Sequence, residues 1–252
     1  MTDLNAAPPP VLSGVQQNWA LRFFARAFNA TLVLLLISLA SHAADVPGKR
    51  VLILGDSHLC GPTGQRLFET MQARGLSVSL YCGVSSAANH WVHAKAPGNF
   101  KCQKRNNSDT QLSRCQNGGD YLPLQDILNQ GPFDLALVGL GTNSLLYKQI
   151  DKDYVDLAKK ISIRAKTCRW IGPPHLREDQ RRGYRSGAVA KLESRLDMFY
   201  TSLAELNTNC PIIDSRAGTA KGLSAGETTD GIHRTQAAGT AWADLIVNEI
   251  FP

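Results

Sequence analysis

Arg50-Val51-Leu52-Ile53-Leu54-Gly55-Asp56-Ser57-His58 is the stretch that decides how this chain folds. A strand buried on one face alternates apolar with polar residues, whereas one covered on both faces does not. Val51 to Leu54 is apolar throughout and stops at Gly-Asp-Ser, all turn residues. The stretch therefore reads as a central strand running into a tight turn. Outward from it, Gly64 to Ala73 has helical spacing and Leu76 to Tyr81 is a second apolar strand. Leu124 to Asn129 reads as a short helix, Phe133 to Val138 as a strand, Tyr154 to Ala165 as a helix and Arg169 to Ile171 as a strand. Leu192 to Leu206 is amphipathic, Ile212 to Asp214 is a brief strand, and Thr235 to Ile250 closes the chain as a helix. Strand–helix alternation with right-handed crossovers predicts an α/β fold, a three-layer α/β/α sandwich on a parallel sheet of about five strands.

Two segments break the rhythm. Residues 86–123 are long, polar and punctuated by aromatics; residues 173–187 are basic and turn-rich. Loops of that length are expected to act as lids or binding surfaces. At the N-terminus, Arg22 and Arg26 precede an uncharged stretch from Ala27 to Ala44, whose apolar centre, Thr31 to Ala40, is followed by the small-residue site Ser41-His-Ala43. That centre is about ten residues long, shorter than a membrane span, so residues 1–43 read as a secretory signal. An uncleaved anchor is the rival reading. The expected mature part, residues 44–252, is exported to the periplasm or secreted.

With 43% hydrophobic and 19% charged residues, the chain is neither disordered nor fibrous in composition. Its formal charge of +6 falls to +5 once Arg22, Arg26 and Asp3 leave with the signal. That suits an anionic cell-wall polymer as a partner, and many proteins without one. No aromatic-basic ribbon, zinc-finger spacing or recognition helix points to nucleic acid, and no feature sets the oligomeric state. The six cysteines all lie in the mature part, and none forms a C-x-x-C. Behind an export signal they read as disulfides. The layout of elements favours Cys168 with Cys210, Cys102 with Cys115, and Cys60 with Cys82; buried free thiols are the alternative.

Three short motifs carry chemistry. Ser57 follows the first strand, at the carboxyl end where open parallel sheets bind ligands, but a serine needs a neighbouring base. Asp230-Gly-Ile-His233, before the last helix, lets a carboxylate orient an imidazole that takes the serine proton. Gly139-Leu-Gly141-Thr-Asn143 ends the third strand and can aim an amide at a developing oxyanion, worth roughly 3–4 kcal/mol in other hydrolases. Each motif alone is an ordinary turn. Together, in order at the ends of strands of one sheet, they are far more specific.

In these blocks the sequence resembles the GDSL/SGNH hydrolase superfamily. Its first block corresponds to Gly55-Asp-Ser57, its glycine–x–asparagine block to Gly141-Thr-Asn143 and its last to Asp230-Gly-Ile-His233. The resemblance implies a flavodoxin-like sandwich and a catalytic triad of Ser57, Asp230 and His233. It also implies an oxyanion hole built from the Ser57 N–H, a second-block N–H and the Asn143 side chain. Relatives often carry Gly-Val-Ser-Gly-Ala-Thr in the second block, where this chain has Gly83-Val-Ser-Ser86-Ala-Ala. Ser86 then stands for the donor glycine; another alignment gives that role to Gly83. Ser144 replaces a frequent Asp, with little expected consequence.

The resemblance implies a serine ester hydrolase that needs no metal or cofactor. Export, a basic surface and a GDSH-type block look similar to envelope carbohydrate O-acetylesterases. The expected substrate is thus an acylated carbohydrate, with an acetyl group foremost, or another small ester. An acetyltransferase on the same fold, a lipase or thioesterase, and a non-catalytic glycan-binding domain are the alternatives. Lesser candidates are a His90–His93 metal pair, sugar-stacking by Trp91 and Tyr121, and an anion-binding cluster of Arg177, Arg181, Arg182 and Arg185. His58 is given no catalytic role.

Overall fold

The structure, a computed structural model, describes residues 48–93, 100–115, 122–147, 152–175, 186–205, 209–220, 228–230 and 232–252. In chain order its elements are β1 (Arg50–Gly55), α1 (Ser57–Cys60), α2 (Pro62–Ala73), β2 (Ser77–Val84), α3 (Ala88–Val92), β3 (Lys101–Asn106), β4 (Ser113–Arg114), α4 (Leu124–Leu128) and β5 (Phe133–Gly139). There follow α5 (Thr142–Tyr147), α6 (Lys152–Ser162), β6 (Ala165–Ile171), α7 (Ser186–Glu205), β7 (Ile212–Ile213), α8 (Ser215–Ala220) and α9 (Gln236–Ile250).

β1 lies at the centre of the sheet, with parallel neighbours β2 and β5. Its pleat sends Val51 and Ile53 into one apolar layer, with Leu67, Phe68 and Met71 of α2 and Trp242 and Ile246 of α9. Leu52 and Leu54 enter the other, with Tyr154 and Leu157 of α6 and Leu196 and Phe199 of α7. Two covered faces explain why the strand shows no alternation. α6 buries Tyr154, Leu157, Ala158 and Ile161, the spacing of one helical stripe.

The sheet has seven strands rather than about five, in the order β4-β3-β2-β1-β5-β6-β7. Five of them, β2, β1, β5, β6 and β7, are parallel. The other two come from the 86–123 segment, expected to be structureless. β3 pairs antiparallel with β2, from Val84↔Lys101 to Ser79↔Asn106, and β4 pairs with β3. The physical reason lies in β2, whose outer edge would otherwise leave backbone groups unpaired. β3 hid from a reading by apolar content because Lys-Cys-Gln-Lys-Arg-Asn is polar, as edge strands often are.

Element boundaries also shift. The helix expected from Tyr154 to Ala165 ends at Ser162, and Ala165 opens β6. The last long helix before β7 begins at Ser186, ahead of Leu192. All three expected disulfides are present: Cys60–Cys82, Cys102–Cys115 and Cys168–Cys210, with Cα–Cα distances of 5.3, 5.4 and 4.5 Å. Residues 1–43, Tyr121, Arg177, Arg181, Arg182 and Arg185 lie outside the described residues. Among the described residues no helix is long and apolar enough to cross a membrane.

Candidate active site

The turn after β1 is tightly fixed. A Cβ on Gly55 would come within 2.4 Å of Leu59 Cδ1 and 2.8 Å of the Gly139 carbonyl, so only glycine lets the chain fold back this closely. The Asp56 N–H donates to Gly139 O at 3.1 Å. Asp56 then caps α1, its Oδ1 accepting from the His58 N–H at 3.0 Å. Ser57 is left as the first residue of α1, half-buried, at the carboxyl end of the central strand.

The Asp230–His233 segment brings an imidazole to Ser57. Asp230 Oδ1 accepts from the backbone N–H groups of Ile232 at 3.0 Å and His233 at 2.8 Å. Its Oδ2 lies 2.6 Å from His233 Nδ1. On the other side of the ring, Nε2 is 2.9 Å from Ser57 Oγ. The network assigns the ring proton to Nδ1, donating to Asp230, and leaves Nε2 to accept from the serine hydroxyl. Burial pushes the Asp230 carboxyl upward, but hydrogen bonds from the His233 ring and from the His233 and Ile232 N–H groups outweigh it. The carboxyl stays below its ordinary range. Arg234, 5% exposed, follows the histidine and donates to His175 O, tying this segment to the chain after β6. A Thr228↔Arg234 bridge and the Thr229 N–H to His233 O bond of 2.9 Å close the loop.

The expected oxyanion donors gather at the same end of the sheet. No bond from the Ser57 N–H is found among the described residues. Asn143, in the first turn of α5, donates from Nδ2 to Ser86 O at 2.9 Å. Ser86 is fully buried, and its Oγ donates to Gly55 O at 3.2 Å, joining the ends of β2 and β1. Its own N–H donates to Gly83 O at 3.1 Å across a turn in which Ser85 takes a φ of 62°. Ser86 itself needs no left-handed backbone, so a serine fits there without strain. Gly83 lies within β2, paired with Cys102 and close against Phe100.

The remaining candidates separate. His90 Nδ1 accepts from the Ala87 N–H at 2.8 Å, and His93 pairs with Asp153 at 2.7 Å, so the two imidazoles serve different partners. Trp91 is 1% exposed and packs edge-on against Phe100, which makes it a core residue rather than a stacking platform. Ser144 is buried and accepts from Tyr154 Oη.

Two groups beside Ser57 are buried, which the sequence did not reveal. The Asp56 carboxyl is 2% exposed, and burial pushes it up to about 7, against the His58 N–H, the field of His233 and the Gly141 N–H. His58 is 6% exposed, with its ring centroid 5.6 Å from that of His233. Burial, then the fields of His233 and Arg234, push it down to about 3, so it is neutral in ordinary buffers. An acid before Ser57 and a histidine after it were the only signals available, and neither reveals burial.

This is the fold of the SGNH hydrolases. A catalytic mutant of Axe2, an acetylxylan esterase from Geobacillus stearothermophilus, superposes with a TM-score of 0.57 at 14% identity over 82% of this chain and 95% of that one. An SGNH-hydrolase-type protein from Slackia heliotrinireducens gives 0.55 at 14% identity, over 81% and 99% of the two chains. In sequence, the chain is 25% identical over 216 residues to Protein BcsX of Komagataeibacter xylinus, spanning 83% of this chain and 79% of BcsX. No family model matches the chain.

Proposed function

We propose that the protein is an exported serine esterase that removes a short O-acyl group, foremost acetyl, from a cell-envelope carbohydrate. The observation that carries this reading is the unbroken chain from Asp230 through His233 to Ser57, at 2.6 and 2.9 Å. Ser57 Oγ attacks the ester carbonyl as its proton passes to His233 Nε2, and Asp230 stabilises the imidazolium. The Ser57 and Ser86 N–H groups and Asn143 Nδ2 receive the negative oxygen. For Ser86 this means sharing the proton it now gives Gly83 O. His233 returns its proton to the leaving sugar oxygen. Water, deprotonated by the same nitrogen, then releases the acid from Ser57.

The carbohydrate assignment draws on the fold shared with an acetylxylan esterase and on the resemblance of the first sequence block to envelope O-acetylesterases. Export draws on the sequence of residues 1–43 and on the pairing of all six cysteines.

The test compares the purified protein with Ser57→Ala, following acetate released from p-nitrophenyl acetate and from O-acetylated peptidoglycan. Release from both, lost in the variant, is the expected result. Release from the small ester alone would remove the envelope substrate. A folded protein that releases neither, and whose Ser57 ignores a fluorophosphonate probe, would remove the esterase itself. Acetate appearing on an added sugar acceptor instead of in solution would make the protein a transferase.

A further inference from the structure

Next to the turn that carries Ser57 lies a small, partly enclosed cavity of about 10 Å³ whose wall includes Asp56, His58, Thr142, Pro173 and Trp242. That is the size of a single water molecule. Two of its wall residues carry buried ring nitrogens with no hydrogen-bond partner, His58 Nε2 and Trp242 Nε1. Their rings meet edge-to-face with centroids 5.5 Å apart, and the side chains are 6% and 4% exposed residues of α1 and α9. Buried polar atoms are almost always paired, with protein or with ordered water. Here the two residues that carry these unpaired atoms line one water-sized, partly polar space.

We propose that one water molecule occupies this cavity, accepting from Trp242 Nε1 and donating to His58 Nε2, and that His58 is thereby a positioning residue for His233. The indole N–H can only donate, so the water oxygen faces Trp242. A neutral His58 has one acceptor nitrogen, and the water supplies its proton. The second water proton is left for an oxygen of the wall, the Asp56 carboxyl among them. This makes three bonds, the usual number for a buried water. The held imidazole then forms a fixed back wall for His233, whose ring must keep Nδ1 on Asp230 and Nε2 on Ser57 at once. The positioning role rests on the esterase reading; the water does not.

The two parts are therefore tested separately. A high-resolution crystal structure should show one ordered water within hydrogen-bond distance of both nitrogens, and Trp242→Phe should remove or displace it. Absence of that density in the wild type would overturn the water. For the positioning role, His58→Leu should lower kcat about tenfold with KM unchanged and slow fluorophosphonate labelling of Ser57 in parallel. His58→Gln, which can still bond the water, should recover most of both. Wild-type kcat and labelling rate in His58→Leu would overturn it. Should that variant not fold, Trp242→Phe decides on the same two rates: a smaller fall supports the role and no change removes it. A wild-type protein with the water but without labelling or acetate release would instead mark failure of the esterase reading.

Discussion

Ser57 and His233, the proposed nucleophile and base, are held in different ways. Ser57 is fixed by the core: Gly55 packs against Leu59, Asp56 caps α1 from within the protein, and Cys60–Cys82 bonds α1 to β2. His233 is fixed by its own loop, where Asp230 is half-buried and accepts two backbone N–H groups and the ring. No disulfide reaches that loop. The scaffold that holds Ser57 should thus be inseparable from folding, while the loop that holds His233 should be alterable with the fold intact.

The largest effect expected is that of Ser57→Ala. It should lower kcat by about six orders of magnitude and leave the urea midpoint unchanged, because the half-buried hydroxyl contributes only its bond to His233. Next comes Asp230→Asn, with a fall in kcat of about 10⁴-fold. Asn keeps an oxygen for the two backbone N–H groups, so circular dichroism and the midpoint should barely move. A collapse of stability in Asp230→Asn would break the comparison, since the loop would then be part of the core's cooperative unit.

On the nucleophile side the order of effects reverses. Replacing Cys60 and Cys82 together by alanine should cost about 2–4 kcal/mol in a urea titration. The same pair should slow labelling of Ser57, which lies three residues from one end of the bond, as Ser86 lies four from the other. Unchanged labelling in a destabilised pair variant would show that the disulfide serves folding alone.

The same difference governs what was legible in the sequence. Val51 to Leu54 announced a central strand because burial on both faces erases alternation, and the five parallel strands followed from similar runs. Ser57 and Asn143 drew notice because each follows a strand of that sheet, and His233 because it stands three residues after an aspartate just before the last helix. β3 and β4 could not be foreseen, since their pairing depends on an edge that exists only after β2 has folded. Burial of Asp56 and His58 was equally invisible. Polar residues in a turn read as solvent-facing, and here residues 139–142 at the end of β5, Pro173 after β6 and Trp242 of α9 gather around them.

That enclosure makes a prediction about pH. In the folded protein Asp56 holds its proton up to about 7, whereas its ordinary value is 3.8. Between those values the unfolded chain has lost a proton that the folded one keeps, so Asp56 makes stability fall as pH rises. His58 acts oppositely. Its ordinary value is 6.5 and its folded value about 3, so in the same range the unfolded chain holds a proton that the folded one lacks, and stability rises with pH. From about pH 4 to 6.5 the two slopes cancel, because the folded pair is neutral and the unfolded pair is one anion and one cation. Asp230, held below its ordinary 3.8, gives stability that is lost only as pH falls past that value. The wild type should therefore show an almost flat stability profile in this window. Asp56→Asn, which keeps the cap on α1, should leave the His58 slope exposed, with stability rising by about 1.4 kcal/mol per pH unit. His58→Gln should show a slope of similar size and opposite sign. Urea midpoints measured across the window for the three proteins decide the matter, and three parallel profiles would mean that solvent reaches this pair after all.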